Sequence, residues 1–262
     1  MEHILTTFAH GHGPYMRIID LGIAINRALS RNGHKALPII VPLVYGDVQK
    51  RIISETFGKI IADNPDAILL DEMQGDILSR LFFKSGHYQE NLVFLLENQQ
   101  GLENRLKDYL SGRLKLKRFD ETEVYCRGED IAFEISHNPR VATAQRKSFC
   151  TNIGHFSEIL ERTIAEGFLD FDVSVLKEVK KIAAKIEKDK HLFFLPEPFV
   201  FSFDPNRVKS QTEIFTPPFI HVPKDNHEQV PHGIYVSITG IAGLRKLFDK
   251  VHQLGMQLYC SP

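Results

Sequence analysis

The sequence predicts an α/β protein in which a parallel sheet is flanked by helices, followed by the beginning of a second sheet of the same kind. Three observations carry this expectation. The chain opens on an apolar run, Ile4 to Phe8, that stops at a turn rich in His and Gly and passes at once into an amphipathic stretch. Short apolar runs then alternate with stretches of three- and four-residue periodicity as far as residue 190. After a Pro-rich interval, the strand, helix and strand pattern restarts at Gly233.

Ile4 to Phe8 reads as a buried first strand. Arg17 to Arg31 reads as a helix, with Ile18, Leu21, Ile25 and Leu29 on one stripe and Gly22 on that stripe to allow close approach to the sheet. Asn32-Gly33 is a helix stop. Leu37 to Val44 is a second strand, and Pro38 and Pro42 make it an edge or irregular at its ends. Asp47 is suited to cap a helix running to Phe57. Ala67 to Leu70 is a third strand, announced by Asn64-Pro65-Asp66 and closed by Asp71-Glu72. Helices are expected over 76–84 and 89–110. Arg113 to Arg118 alternates basic and apolar residues, as a solvated edge strand or hairpin arm does; the competing reading is a patch that touches a membrane surface. Strands over 129–136 and 148–152 follow, then helices from Ser157 to Glu166 and from a cap at Asp172, the second with Val175, Val179, Ile182 and Ile186 on one face. Strands are also expected at Leu192 to Leu195 and Phe199 to Phe203. Gly233 to Ile238, Ala242 to Gln253 and Met256 to Cys260 form one βαβ unit.

The expected organisation is a first domain over 1–190, a linker over 191–232 and the first βαβ unit of another domain over 233–262. A lone unit of that kind does not cover both faces of its strands, so it either adds to the first sheet or finds its partner elements in a continuation, a partner chain or a homo-oligomer. The chain has 262 residues and a formal net charge of −1, so nothing global draws it to nucleic acid. No apolar run approaches the roughly 20 residues of a membrane span, and the start lacks the pattern of a secretory signal. Cys126, Cys150 and Cys260 form neither a metal spacing nor a disulfide framework, as expected of a cytoplasmic protein.

The chemistry-bearing stretch is the first strand-to-helix loop, with His10, Gly11, His12 and Gly13. In an open α/β sheet that loop stands at the ligand crevice. Gly11 and Gly13 suit a tight turn with backbone close to substrate. An imidazole titrates near neutrality, which is where a general base works best. His155, after a later strand, is a further candidate for the cleft mouth. At the second opening, the Thr239-Gly240 turn ahead of a helix is a candidate anion site. No P-loop, GxGxxG or Asp-x-Asp pair is present.

Taken together, Phe8-Ala9-His10-Gly11-His12-Gly13 with Arg31-Asn32-Gly33-His34, the strand and loop over 131–141, Thr216-Pro217-Pro218-Phe219 and Ile234-Tyr235-Val236-Ser237-Ile238-Thr239-Gly240 resemble the nucleotide-sugar-dependent GT-B glycosyltransferases that include the UDP-glucuronosyl, macrolide and sterol transferases. The resemblance implies a Rossmann-like acceptor domain followed by the start of a Rossmann-like donor domain. It implies an inverting transfer of a hexose from a UDP- or dTDP-sugar to an acceptor hydroxyl, without a metal or other cofactor. His12 is then the general base, and His10, Gly11, Gly13, Asn138 and His155 line the acceptor site. Ser237, Thr239 and Gly240 approach the donor. The acidic partner of the base is not where the family has it, since Ser136-His137-Asn138 stands there. Glu134 is the substitute. The implied chain is inactive without the rest of its donor domain, and peripheral membrane contact fits a greasy acceptor.

Two other classes fit parts of the pattern. One is a non-catalytic acceptor-binding subunit of a split transferase. The other is a metal-dependent amidohydrolase on a β/α barrel, using His10-Gly11-His12 with His137, His155 and Asp204.

Overall fold

The computed structural model describes residues 2–7, 12–79, 88–136, 148–152, 156–167, 172–188, 191–194, 213–215, 233–236 and 244–260. The chain divides into two compact units, Met1–Pro218 and Phe219–Pro262. The first contains strands β1 (His3–Thr6), β2 (Ile39–Pro42), β3 (Ile68–Asp71), β4 (Arg113–Lys117), β5 (Glu123–Arg127), β6 (Ile131–Ser136), β7 (Ser148–Asn152), β8 (His191–Phe194) and β9 (Glu213–Phe215). Its helices are α1 (His12–Arg31), α2 (Gly46–Asp63), α3 (Glu72–Ser79), α4 (Tyr88–Leu110), α5 (Phe156–Glu166) and α6 (Val173–Lys188).

Among the described residues, the strands form one open, nine-stranded sheet in the order β5-β4-β3-β2-β1-β6-β7-β8-β9. Every neighbouring pair is parallel except β3 with β4 and β4 with β5. The expected α/β class is therefore what the chain adopts, with an antiparallel hairpin added beside β3. An open sheet is not a closed eight-stranded barrel, so the barrel that the amidohydrolase reading requires is not this fold. The first unit also runs past residue 190. β8 and β9 lie inside the stretch expected to be a linker, and both extend the sheet by parallel pairing.

Each sheet face has its own apolar cluster. Ile4, Ile39, Val41, Ile68 and Leu70 point to one face, under Tyr15, Ile18 and Ile19 of α1 and Ile53 and Phe57 of α2. Leu5, Ile40 and Leu69 point to the other, with Leu110 of α4, Leu114 and Leu116 of β4 and Cys126 of β5. A third cluster joins α3, α4, α5 and α6 through Leu78, Leu106, Leu160 and Val179.

Local chemistry explains where the expected elements shift. α1 starts at His12, ahead of the periodic stripe, because Pro14 in a first turn needs no N–H acceptor. Its buried residues are Tyr15, Ile18, Ile19 and Ile23, while Leu21, Ile25 and Leu29 are only half-buried. Gly22 lies against β2 as expected, where an added Cβ would come within 2.9 Å of Ile39 Cδ1. Gly33 ends the helix at a φ of 79°, and the His34 N–H returns to the Leu29 carbonyl. β2 is central rather than an edge. Pro38 precedes it and Pro42 is its last residue, so the prolines sit at its two ends. Asp47 does not cap α2, whose N-cap position is Tyr45 with no side-chain cap; Gln49 instead ties the helix to the end of β2, accepting from the Tyr45 N–H and donating to the Pro42 carbonyl, both at 3.0 Å. The helix kinks at Phe57, where the sequence pattern ends, and continues to Asp63. Asp172 accepts from the Ser174 N–H at the start of α6, as expected.

The alternating stretch at Arg113 is a hairpin arm. Its apolar half, Leu114 and Leu116, is buried in the core, so no basic and apolar patch forms there. Its cations are matched: Lys115 by Glu123 at 2.5 Å, Lys117 by Glu72 at 2.8 Å, and Arg113 over the Tyr125 ring at 4.1 Å. Among the described residues no helix is long and apolar enough to cross a membrane.

α3 begins at Glu72, four residues earlier than expected, with no loop after β3. Gly75 makes this possible. A Cβ there would lie 2.4 Å from the Leu43 carbonyl oxygen, and backbone cannot yield as a side chain does. Gly75→Ala is expected to cost about 2–3 kcal/mol by overpacking, read from the urea midpoint at constant slope.

The second unit contains β10 (Gly233–Val236), α7 (Leu244–Gln253) and β11 (Gln257–Cys260). β10 and β11 pair in parallel from Gly233↔Gln257 to Val236↔Cys260, giving the expected βαβ unit.

Candidate functional site

The chain runs outward through β1, β2, β3 and the hairpin, then returns to the opposite side of β1 as β6. In doubly wound sheets, ligands bind at such a reversal, outside the carboxyl ends of the strands. Here the carboxyl ends of the strands carry Thr6 ending β1 with Thr7 next, Ser136 ending β6 and, on the far side of β2, Asp71 ending β3.

Register brings these residues level. Leu5 pairs with Ile40 on one side and Glu134 on the other. Two residues further, Thr7 stands level with Pro42 and Ser136, and Pro42 itself pairs with Asp71. Side chains two residues apart share a face, so Thr7, Asp71, Glu134 and Ser136 share the face of Leu5 and Leu69. All four are buried, at 0–1% exposure. The Thr7 N–H continues the β1–β6 ladder to the Ile135 carbonyl at 2.9 Å.

Asp71 is the hinge of this row. Its Oδ1 accepts from the Gln74 N–H, capping α3, and from the Tyr109 hydroxyl of α4, both at 2.8 Å. Gln74 stands three residues after the cap, where a Glu or Gln usually reaches back to the cap's own N–H. Here its Nε2 donates to the Thr6 carbonyl at 3.4 Å, tying α3 to the end of β1. Among the described residues, Thr7 Oγ1, Asp71 Oδ2 and Gln74 Oε1 are buried without a hydrogen-bond partner. Burial pushes the Asp71 carboxyl up to about 6, against the hydrogen bonds from Gln74 and Tyr109 that pull it down; the like charge of Glu72 adds to the rise. Burial, then Asp71, raises the Tyr109 hydroxyl far above its usual range. The Cys126 thiol is pushed up to about 11, first by burial.

His12 is the first residue of α1, so it stands at the positive end of that helix, directly after the loop leaving β1. Gly13 is exposed in the first helical turn, and a Cβ there would meet nothing within 4 Å, so it is not the tight-turn glycine that the sequence suggests. Glu134 lies on the Leu5 face, whereas α1 packs on the Ile4 face. The sheet thus separates that carboxyl from the body of the helix that His12 begins. His10, Gly11, Asn138, His155, Ser237, Thr239 and Gly240 lie outside the described residues, as do His137 and Asp204.

Sequence reasoning missed Thr7, Asp71 and Gln74 as site residues. The signal was present: Asp71-Glu72-Met73-Gln74 has capping-box spacing directly after an apolar run, and Asp71-Glu72 reads there only as the end of a strand. A separate cleft of about 440 Å³, lined by Asn26, Arg27, Asn64 and Ala67, lies at the opposite, amino-terminal ends of β2 and β3. No protein-family profile, curated protein or solved structure matches the chain.

Proposed function

We propose that the first unit is the acceptor-binding half of an inverting glycosyltransferase that uses a nucleotide-sugar, with His12 as its general base. One observation carries the reading. The order of strand addition reverses between the parallel neighbours β1 and β6, and a histidine opens the helix that follows β1 at that reversal. A compact βαβ unit elsewhere in the chain is consistent with the opening of a donor-binding half.

The chemistry follows from placement. In the proposed step His12 acts from the start of α1 as a neutral imidazole, the form that accepts a proton. It takes the acceptor's hydroxyl proton as that oxygen bonds to the anomeric carbon. The bond from that carbon to the nucleotide diphosphate breaks, and the diphosphate leaves with the electron pair. UDP- and dTDP-hexoses are the donors to test.

The test is transfer from these donors to a panel of alcohols by the chain reconstituted with the donor-binding half that the reading requires, followed by mass spectrometry of the products. Loss of a general base slows a reaction about 10²–10⁴-fold, and His12→Ala is expected to fall in that range with its fold intact. Transfer within threefold of the parent would sink the assignment. Bound alcohol with no transfer from any donor would leave an acceptor-binding protein, and that too would end the catalytic reading.

A further inference from the structure

The cleft at the amino-terminal ends of β2 and β3 lies at the far end of the strands from the crevice, and it is open to solvent. Its volume of about 440 Å³ is that of a small-molecule site. α1 and α2 both end beside it. Ile39, the first residue of β2, forms an apolar floor with Ile23 of α1 and Ile60 of α2. The rim is charged. α1 contributes Arg27 and Arg31, one turn apart and so on one face of the helix, and α2 contributes its last residue, Asp63.

Hydrogen bonds on either side of the cleft hold its walls apart. Asn26 accepts from the Leu37 N–H and donates to the Leu37 carbonyl, both at 2.8 Å, which fixes the segment after α1 against that helix. Asn64 Oδ1 accepts from the Asp66 N–H at 3.1 Å, and the Asn64 carbonyl accepts from the Ala67 N–H at 2.9 Å, which fixes the turn after α2. A cleft formed in advance does not have to order its walls when it binds.

Charge defines the occupant. Both arginines are exposed, and among the described residues neither is held in an ion pair. Asp20, further back along α1, feels the Arg27 charge without bonding to it. Two cations against the one acid on the rim leave one net positive charge. The carboxyl ends of two helices add partial negative charge. The cleft therefore suits a monoanion rather than a dianion. A carboxylate offers guanidinium groups paired acceptor oxygens, and the isoleucine floor calls for an apolar body behind it.

We propose that this cleft binds a small monocarboxylate, with its carboxylate between Arg27 and Arg31 and its apolar body on Ile23, Ile39 and Ile60. The site stands apart from the crevice and does not depend on the transferase reading.

The experiment titrates the full ¹⁵N-labelled chain at pH 7.5 with octanoate, octanol and octyl phosphate, each below its micellar concentration. Octanoate is expected to shift the Ala36 and Ala67 amides saturably. Octanol, which has the same body without the charge, is expected to bind about tenfold more weakly. Arg27→Gln combined with Arg31→Gln changes only exposed side chains, so the fold is kept. The pair is expected to weaken octanoate about tenfold and to leave octanol unchanged. Four outcomes overturn the site: octanoate does not bind, octanol binds as tightly as octanoate, octyl phosphate binds more tightly than octanoate, or the paired variant binds octanoate like the parent.

Discussion

Gly128→Ala is expected to destabilise the first unit by about 4 kcal/mol or more, at the exceptional end of single substitutions. Gly128 follows β5 and touches the end of α4. A Cβ on it would fall 1.5 Å from the Leu110 carbonyl oxygen and 2.6 Å from the carbonyl carbon. Both atoms are backbone at the carboxyl end of a long helix, and the Gly128 N–H is already bound to the Gly112 carbonyl at 3.0 Å. Neither partner has a rotamer to change. Relief requires that α4 move away from the hairpin, and Leu110, Leu114 and Cys126 share one apolar cluster across that contact. Equilibrium unfolding in urea, followed by circular dichroism, checks the result. A loss below about 1 kcal/mol, within the ordinary range of point substitutions, would mean that helix and hairpin are not packed as described.

Asp71→Asn is expected to act in the opposite direction. The carboxyl prefers its neutral form in the fold, with its value raised from 3.8 to about 6. The folded state therefore holds the proton more tightly than the unfolded chain does. The stability from this group is fully present below pH 3.8 and is lost as pH rises through about 6. A rise of that size corresponds to about 3 kcal/mol at neutral pH. Asn removes the charge, and its Oδ1 still accepts from the Gln74 N–H and the Tyr109 hydroxyl. The variant should be more stable than the parent by up to about 3 kcal/mol at pH 7.5, and the gap should close by pH 4. Parallel stability curves across that window would show that Asp71 is ionised in the fold without cost.

The strands and helices were legible because each leaves a local period. β7 matches its sequence range, the βαβ unit of the second part is formed, and the caps at Gly33 and Asp172 follow from single residues. What sequence could not supply was pairing between distant segments. Nothing local in Arg113 to Lys117 says that its leucines enter the core beside Leu69. Nothing in Leu192 or Ile214 says that their strands add to the first sheet rather than bridge two domains. The site was legible in the same proportion. A histidine at the start of a helix is a local reading. The row of Thr7, Asp71 and Ser136 depends on a register set by segments far apart in sequence. Glu134 shows the converse: alternation along its own strand fixed its phase, but which face α1 covers was decided elsewhere.

The return of the chain to β1 through β6 also bears on how the protein is made. β1 is made before the other strands of its sheet, yet one of its two parallel neighbours is the sixth of them to appear. The Thr7 N–H has no ladder partner until Ile135 has been synthesised. Parallel, long-range pairing of this kind is slow to form and leaves strand edges open in the meantime. During translation, β1 to β3, α1 and α2 can gather around their own apolar cluster, while the crevice side of β1 waits for a partner. The sheet around β1 is thus completed only after β6 has been made, and the nascent chain passes through a stage with β1 as an unpaired edge.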